Sequence, residues 1–334
     1  MTPRSLSATS PILVFAAFFA SATLCHAAED GWALYLDNDV YAPESTDEDY
    51  SFGIYFSDFD QTPKAGALGV GSLLSWMDGI VADGRDVDHG RNEYGVFGFT
   101  PTNISANQAL PDNRPYASLL FAGASRVYVD EENGVSTVTS LTLGALGLDV
   151  AKAIQRNQHD LIGDAEPRGW DNQVSDGGEL TGRFSWTRRK LMGDSQSFWY
   201  DTTVAVGYLS EVRAGIGGIV GGGDPLRSRL MGPTGYGHRS TPPDNSGWSL
   251  WYGAEISARM HNSFIQGQFR DNAVDYSWDE TEPLVAQAWL GLEFPITRNW
   301  FVSYAVNGRT SELKDGPADR HHFWATITVG TALR

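Results

Sequence analysis

The chain has 334 residues, with 41 acidic against 24 basic side chains and a net charge of −17 at neutral pH. That balance excludes nucleic acid as a partner, because nucleic-acid binding demands a basic footprint. Past the N-terminal apolar run, no segment is long enough for a transmembrane helix. Yet 11 Trp, 37 Gly and 12% aromatics accompany a negative mean hydropathy, a composition that suggests an outer-membrane β-barrel, with a secreted soluble β-sandwich or jelly roll as the alternative. In such a wall, lipid-facing and lumen-facing residues alternate, so hydropathy averages away while aromatics gather at the interfaces.

The first element is a targeting segment. Arg4 supplies the positive start, Pro11 to Leu24 is apolar, and Cys25-His26-Ala27 has the small-x-small form of a cleavage site. Residues 1–27 are expected to leave as a signal peptide, and 28–334 to form one barrel domain. Leu24 before Cys25 argues against lipoprotein processing. Cys25 is the single cysteine, so the mature chain is expected to hold no disulfide, zinc–thiolate site or cysteine nucleophile.

Trp32–Leu36 opens the mature chain as a strand ending at Asp37-Asn38-Asp39. An acidic loop, Tyr41–Glu48, leads to Tyr50–Phe59, which alternates with Tyr50, Phe52, Ile54 and Phe56 on one side. Residues 61–93, rich in glycine and aspartate around Leu73-Leu74-Ser75-Trp76-Met77, read as a long irregular loop. Strands follow at Tyr94–Pro101, Tyr116–Val129 and Ser136–Gly147, the last two joined by a turn with the Asn133-Gly134 hairpin signal.

Leu148–Gln173 interrupts this run, and its first half is helical. Val150, Ile154 and Leu161 fall on one side, while Gln155 and His159, four apart, stack on a helical face. Taken alone, this is a half-exposed surface helix. Strands resume at Glu179–Leu191, Ser197–Leu209, Glu211–Val220, Gly247–Met260, Leu284–Pro295, Trp300–Arg309 and Phe323–Leu333. Gly215–Gly223 lacks the Lys-Ser/Thr of a phosphate loop and reads as turn and rim glycine. The fold class is therefore all-β: a transmembrane antiparallel β-barrel of about twelve strands with a short extracellular-loop helix.

No Gly-x-Ser-x-Gly elbow and no His-Glu-x-x-His helix is present. Among seven histidines, His159 alone sits on a helix. His89, His238 and His261 lie in or beside loops, and His321-His322 begin the last strand. Asn38-Asp39 and Asp49-Tyr50-Ser51 flank one hairpin and offer the hard oxygen donors that Ca²⁺ prefers, although Asp-Asn-Asp at a strand end is also ordinary turn chemistry. Arg183, Arg188, Arg189 and Lys190 could meet phosphates but read better as a solvated strand end.

Asn38-Asp39, Tyr50-Ser51-Phe52-Gly53, Thr100-Pro101, Asp112-Asn113-Arg114-Pro115-Tyr116-Ala117, Gln155-x3-His159-x3-Gly163 and Gly169-Trp170-x2-Gln173 occur in this order. The ordered set, spanning roughly Trp32 to Gly330, resembles the outer-membrane lipid A 3-O-deacylase family. The resemblance implies a twelve-stranded barrel with its site between the wall and an extracellular-loop helix. It implies an esterase that removes the 3′-linked acyl or acyloxyacyl group of lipid A, with calcium as cofactor. His159 would be the base, Asp39 the principal calcium ligand with Asn38 and Ser51, and Gln155 the glutamine one turn before the histidine. The partner would be lipopolysaccharide in the outer membrane, met by a monomer.

Two departures stand out: Ser51 replaces the family's threonine, and the acidic residue expected after the histidine aligns on Ala165, between Asp164 and Glu166, with Glu166 the favoured candidate. The chain ends Ala332-Leu333-Arg334 without a terminal aromatic. The alternatives are a calcium-dependent outer-membrane phospholipase, using the same site on another ester, and a porin-like or structural barrel without activity.

Overall fold

The computed structural model describes residues 31–43, 49–62, 64–81, 86–163, 165–193, 197–227, 230–232, 234–239 and 247–331. The expected signal peptide, Asp164 and the last three residues lie outside these. Twelve strands close one antiparallel barrel in chain order: β1 (Gly31–Asn38), β2 (Asp49–Asp60), β3 (His89–Thr100), β4 (Ala117–Asp130), β5 (Val135–Leu146), β6 (Glu179–Leu191), β7 (Phe198–Gly207), β8 (Leu209–Gly221), β9 (Ser249–Asn262), β10 (Leu284–Pro295), β11 (Trp300–Arg309) and β12 (His322–Thr331). β1 pairs with β12 to shut the ring, so no strand edge is left unpaired. Three helices join them: α1 (Val70–Val81), α2 (Val150–Ile162) and the single turn α3 (Ser263–Gln266).

The strands are apolar outside and polar inside. Along β7, Trp199, Thr203 and Ala205 are buried while Phe198, Tyr200, Val204 and Val206 are exposed. In β10, Val285, Gln287 and Trp289 face inward, with Leu284 and Leu290 outward. A period of two with exposed valine, isoleucine and leucine suits a wall whose outer solvent is hydrocarbon. At the rim where β1, β7, β9 and β11 start, Trp32 stacks on Phe56 at 6.0 Å and meets Trp300 edge-on at 5.4 Å. Phe198 and Tyr252 continue this aromatic girdle, with ring centroids 6.5 Å apart. Its turns 131–134 and 296–299 are short, which marks the periplasmic side, whereas loops 101–116, 147–178 and 263–283 crowd the extracellular rim.

The lumen is packed. Arg183 donates to Glu211 at 3.2 Å, Arg213 to Glu255 at 3.3 Å and Arg114 to Glu312 at 2.6 Å, and Arg259 also pairs with Glu312. Above this ladder Tyr50, Phe97, Phe99, Tyr236 and Phe264 form one ring cluster, with centroids 5.2–6.1 Å apart. Tyr236 comes from the connection that leaves β8 at the periplasmic rim, and Phe264 from α3 at the other, so the two ends of the barrel meet inside it. Buried charges are tolerated because each is paired.

Several expectations need correction. Residues 61–93 are not an irregular loop: they hold α1, and β3 begins at His89. Gly215 and Gly217 lie within β8, where a Cβ at Gly217 would sit 2.3 Å from the Trp199 ring and one at Gly215 2.9 Å from Asp201 Oδ1, so Gly217 makes room for a lumen tryptophan and Gly215 for a lumen carboxylate. Arg183 and Arg189 are lumen residues, the latter paired with Asp201 at 3.1 Å, and neither is a solvated strand end. His322 opens β12, as expected, but is buried against Asp49, 3.1 Å from its carboxylate.

Candidate functional site between the barrel wall and helix α2

Gln155, His159 and Trp170 are placed on the outer wall, at the extracellular rim, by helix α2 and the loop that follows it. Phe52, Val96 and Leu120 point away from the lumen on β2, β3 and β4, since their neighbours Phe97 and Phe121 point into it. Val150, Ala151 and Ile154 of α2 pack on these three, together with Tyr116 and Trp170. The helix has its apolar face on the barrel and its polar face toward lipid headgroups and water. It stops at Gly163, whose φ of 75° is the left-handed cap and whose N–H donates to the His159 carbonyl at 2.8 Å. The side chain of Leu161 lies outside the described residues.

Trp170 fixes the geometry of Gln155. The indole, fully buried, lies 4.8 Å from Tyr116 and 6.5 Å from Phe52, ring to ring. Gly98 on β3 makes this possible: a Cβ there would stand 2.8 Å from Phe52 and 3.0 Å from Trp170. Trp170 Nε1 donates to Gln155 Oε1 at 2.7 Å. Indole is a donor only, so this bond sets which end of the amide is oxygen. The Gln155 NH₂ group then points away from Trp170, buried and without a hydrogen-bond partner among the described residues. An orphaned buried donor is costly and calls for an acceptor the fold itself does not provide.

His159, one turn on, is buried, and its Nδ1–H donates to the Ala165 carbonyl at 2.6 Å. That bond selects the tautomer whose Nε2 carries the lone pair. Glu166, the expected acidic support, turns outward: Arg156 donates to one of its oxygens and Arg168 to the other, each at 3.0 Å. The position that supports the imidazole is thus Ala165, through its backbone.

Ser51 is the extra residue of a β-bulge between the Tyr50–Phe99 and Phe52–Gly98 pairs. Its buried hydroxyl lies 2.5 Å from that of Thr100, beside the Phe52 that carries α2. Asn38 ends β1 and caps a 3₁₀ turn at Asp39–Tyr41, its Oδ1 accepting from Val40 N at 2.7 Å. Asp39 Oδ1 accepts from the same N–H at 2.8 Å, and its side chain is buried. The turn packs against β12 and β2, which carries Ser51. No cluster of three or more His, Cys, Asp or Glu suited to a metal occurs among the described residues. Asn38, Asp39 and Ser51 carry amide, carboxylate and hydroxyl oxygens, hard donors of the kind Ca²⁺ takes.

The remaining motifs hold the loops. Asn113 donates to Thr102 Oγ1 at 2.6 Å and accepts from Arg114 N at 2.9 Å, while Tyr116 OH donates to the Ile104 carbonyl at 3.0 Å. Gln173 accepts from Ser118 at 3.0 Å. Sequence reasoning left Trp170 as a loop anchor. Its role in orienting Gln155 has no signature in the chain beyond their joint presence.

Comparison with known proteins agrees with this fold. The family described as "Outer membrane protein LpxR" matches residues 10–333. Among solved structures, LpxR from Salmonella typhimurium is similar with a TM-score of 0.68, at 14% identity over 90% of this chain and 99% of that one. A KdgM porin matches at a TM-score of 0.40 and 6% identity, over 91% and 99% of the two chains. No curated protein matches by sequence. The chain is an outer-membrane β-barrel and belongs to the LpxR family of outer membrane proteins.

Proposed function

We propose that the protein is an esterase of the outer membrane that hydrolyses the 3′-linked acyl or acyloxyacyl ester of lipid A. The observation that carries this reading is the orphaned NH₂ of Gln155, held by Trp170 one turn before a histidine whose Nδ1 is engaged by the Ala165 carbonyl. The pair lies on the lipid side of the wall, at the rim that faces lipopolysaccharide, and the packed lumen opposes a conducting role. In the reaction, His159 Nε2 takes a proton from water as the water oxygen attacks the ester carbonyl. Gln155 Nε2 donates to the oxygen on which negative charge develops. The tetrahedral centre then collapses by breaking the bond to the sugar oxygen, which receives the proton from the imidazolium, releasing a fatty acid and a free 3′-hydroxyl. Bound calcium would be held by Asp39 with Asn38 and Ser51, and would supply positive charge to the oxyanion and to the lipid phosphates. We propose that the enzyme acts as a monomer.

The test is mass spectrometry of lipid A from cells with and without the protein. Loss of the acyl mass, abolished by His159→Ala and by chelation of calcium, is expected. Unchanged lipid A in calcium-replete cells defeats the reading. Lysophospholipid accumulation would assign the site to glycerophospholipid, and ion conductance indifferent to His159→Ala would assign a pore.

A further inference from the structure

Helix α1 lies outside the barrel, on the same stretch of wall as α2 but nearer the periplasm. Val70, Leu74 and Met77 pack on Ala122, Ala124, Leu141 and Leu143, which alternate with the lumen residues of β4 and β5. Tyr94, also under α1, is two residues along β3 from Val96, which is under α2, so the two helices occupy successive rows of one outer face. The polar groups of this wall are closed off by the helix. Arg126 donates to the Lys64 carbonyl at 3.0 Å and the Gly71 carbonyl at 3.4 Å, and Tyr128 donates to Asp78 at 2.7 Å.

Among the described residues nothing covers the opposite side of α1. Leu73, Trp76, Ile80 and Val81 are exposed, Trp76 at 68% and Ile80 at 72%. The one charged residue of the helix, Asp78, is buried against the wall. Ser75 satisfies its hydroxyl inside the helix, donating to the Gly71 carbonyl at 2.9 Å. Leu68, just before the helix, is 84% exposed and held at φ 57°, a conformation that costs an L-residue roughly 1–2 kcal/mol. A helix apolar on both sides belongs in hydrocarbon. No described helix is long and apolar enough to cross a membrane; a short helix of this kind can lie in the interface plane.

We propose that the exposed face of α1 is seated among the acyl chains of the inner, phospholipid leaflet, as a second membrane contact continuous with the lipid-facing wall. The connection β2–β3, which carries α1, leaves the same periplasmic rim as the Trp32, Phe198 and Trp300 girdle, a placement that directs Trp76 toward the headgroup–acyl boundary of that leaflet. Arg126 is thereby sealed between wall and helix instead of facing lipid, and the segment below the α2 site is braced from the opposite leaflet.

The test uses the full chain carrying Cys25→Ser with one new cysteine, Trp76→Cys or Ile80→Cys, labelled with an environment-sensitive fluorophore and reconstituted in phosphatidylcholine–phosphatidylglycerol vesicles. Asn133→Cys, in the exposed β4–β5 turn at the same rim, is the aqueous control. Vesicles with spin label high on the acyl chain should quench the position 76 and 80 labels several-fold more than the position 133 label. Iodide should do the reverse. If labels at 76 and 80 respond to iodide as the control does and ignore the spin-labelled lipid, the face is in water and the proposal is wrong. Two cysteine positions guard against failure of either variant to fold, which the heat-modified gel shift of the barrel reports.

Discussion

Gln155→Glu separates the two jobs assigned to this side chain. The substitution keeps a carboxylate oxygen where Oε1 stands, so the 2.7 Å bond from Trp170 persists, and replaces the NH₂ by an acceptor. Packing against the buried indole is unchanged in volume, and α2 keeps its seat on Phe52 and Val96. What is lost is the donor aimed at the developing oxyanion. Removing one such donor costs about 10²–10³ in kcat, equivalent to about 2.7–4 kcal/mol of transition-state stabilisation. The companion Trp170→Phe removes the indole N–H. It leaves Gln155 free to rotate and a buried acceptor unsatisfied, at about 1–3 kcal/mol in stability, with a smaller loss of rate because the NH₂ can still visit the cleft. The assay is the initial rate of acyl release from lipid A in mixed micelles with calcium in excess, followed by mass spectrometry, beside a thermal melt of the refolded barrel. A Gln155→Glu enzyme that folds as the parent does and deacylates at a comparable rate would refute the oxyanion role, and with it the meaning given to the orphaned amide.

Other perturbations follow from the same contacts. Glu166→Gln should leave deacylation near the parent rate and stability within about 0.5 kcal/mol, because its ion pairs with Arg156 and Arg168 are half-exposed; a large loss of activity would restore an acidic role beside His159. Asp39→Asn keeps an acceptor for Val40 N–H but removes the carboxylate charge, so a calcium titration of activity should move to higher concentration with the fold intact. Gly98→Val should displace Phe52 and Trp170, lowering activity more than a lumen change of equal volume, as measured by rate and melting temperature together.

At the periplasmic rim, Asp88 accepts from His89 at 2.8 Å and from Arg227 at 2.9 Å. These hydrogen bonds hold its carboxyl down at about 2, with that from His89 the largest lowering cause. Its folded value is depressed, so the stabilisation is complete above the unfolded carboxylate range near 3.8 and is lost as pH falls through about 2. Discounted for the exposure of Arg227, the cluster contributes on the order of 1 kcal/mol, and Arg227→Ala should flatten the acid limb of the melting profile between these values.

The sequence by itself determined the barrel and the helix that carries Gln155 and His159. Alternation with apolar residues outside follows from the period of a strand, and the ends of β10 and β11 are legible at Leu284, Pro295, Trp300 and Arg309. Helix α2 was legible because Val150 and Ile154 meet the wall while Gln155 and His159 do not need to. Helix α1 is not legible because Leu73, Trp76 and Ile80 oppose Val70, Leu74 and Met77: with exposed apolar residues on one side and the wall on the other, it has no polar face to betray its period.

Only the tertiary structure decided where charges and partners fall. Arg183 and Arg189 read as surface until strand register turned them into the lumen, and the placement of Asp49 beside His322 spans almost the whole chain. The choice of Ala165 over Glu166 as the partner of His159 rests on backbone geometry that no side-chain pattern encodes. The orientation of the Gln155 amide likewise depends on an indole 15 residues away, brought to it by the space at Gly98 on another strand. A donor's direction is a property of packing, and packing exists only after the ring has closed.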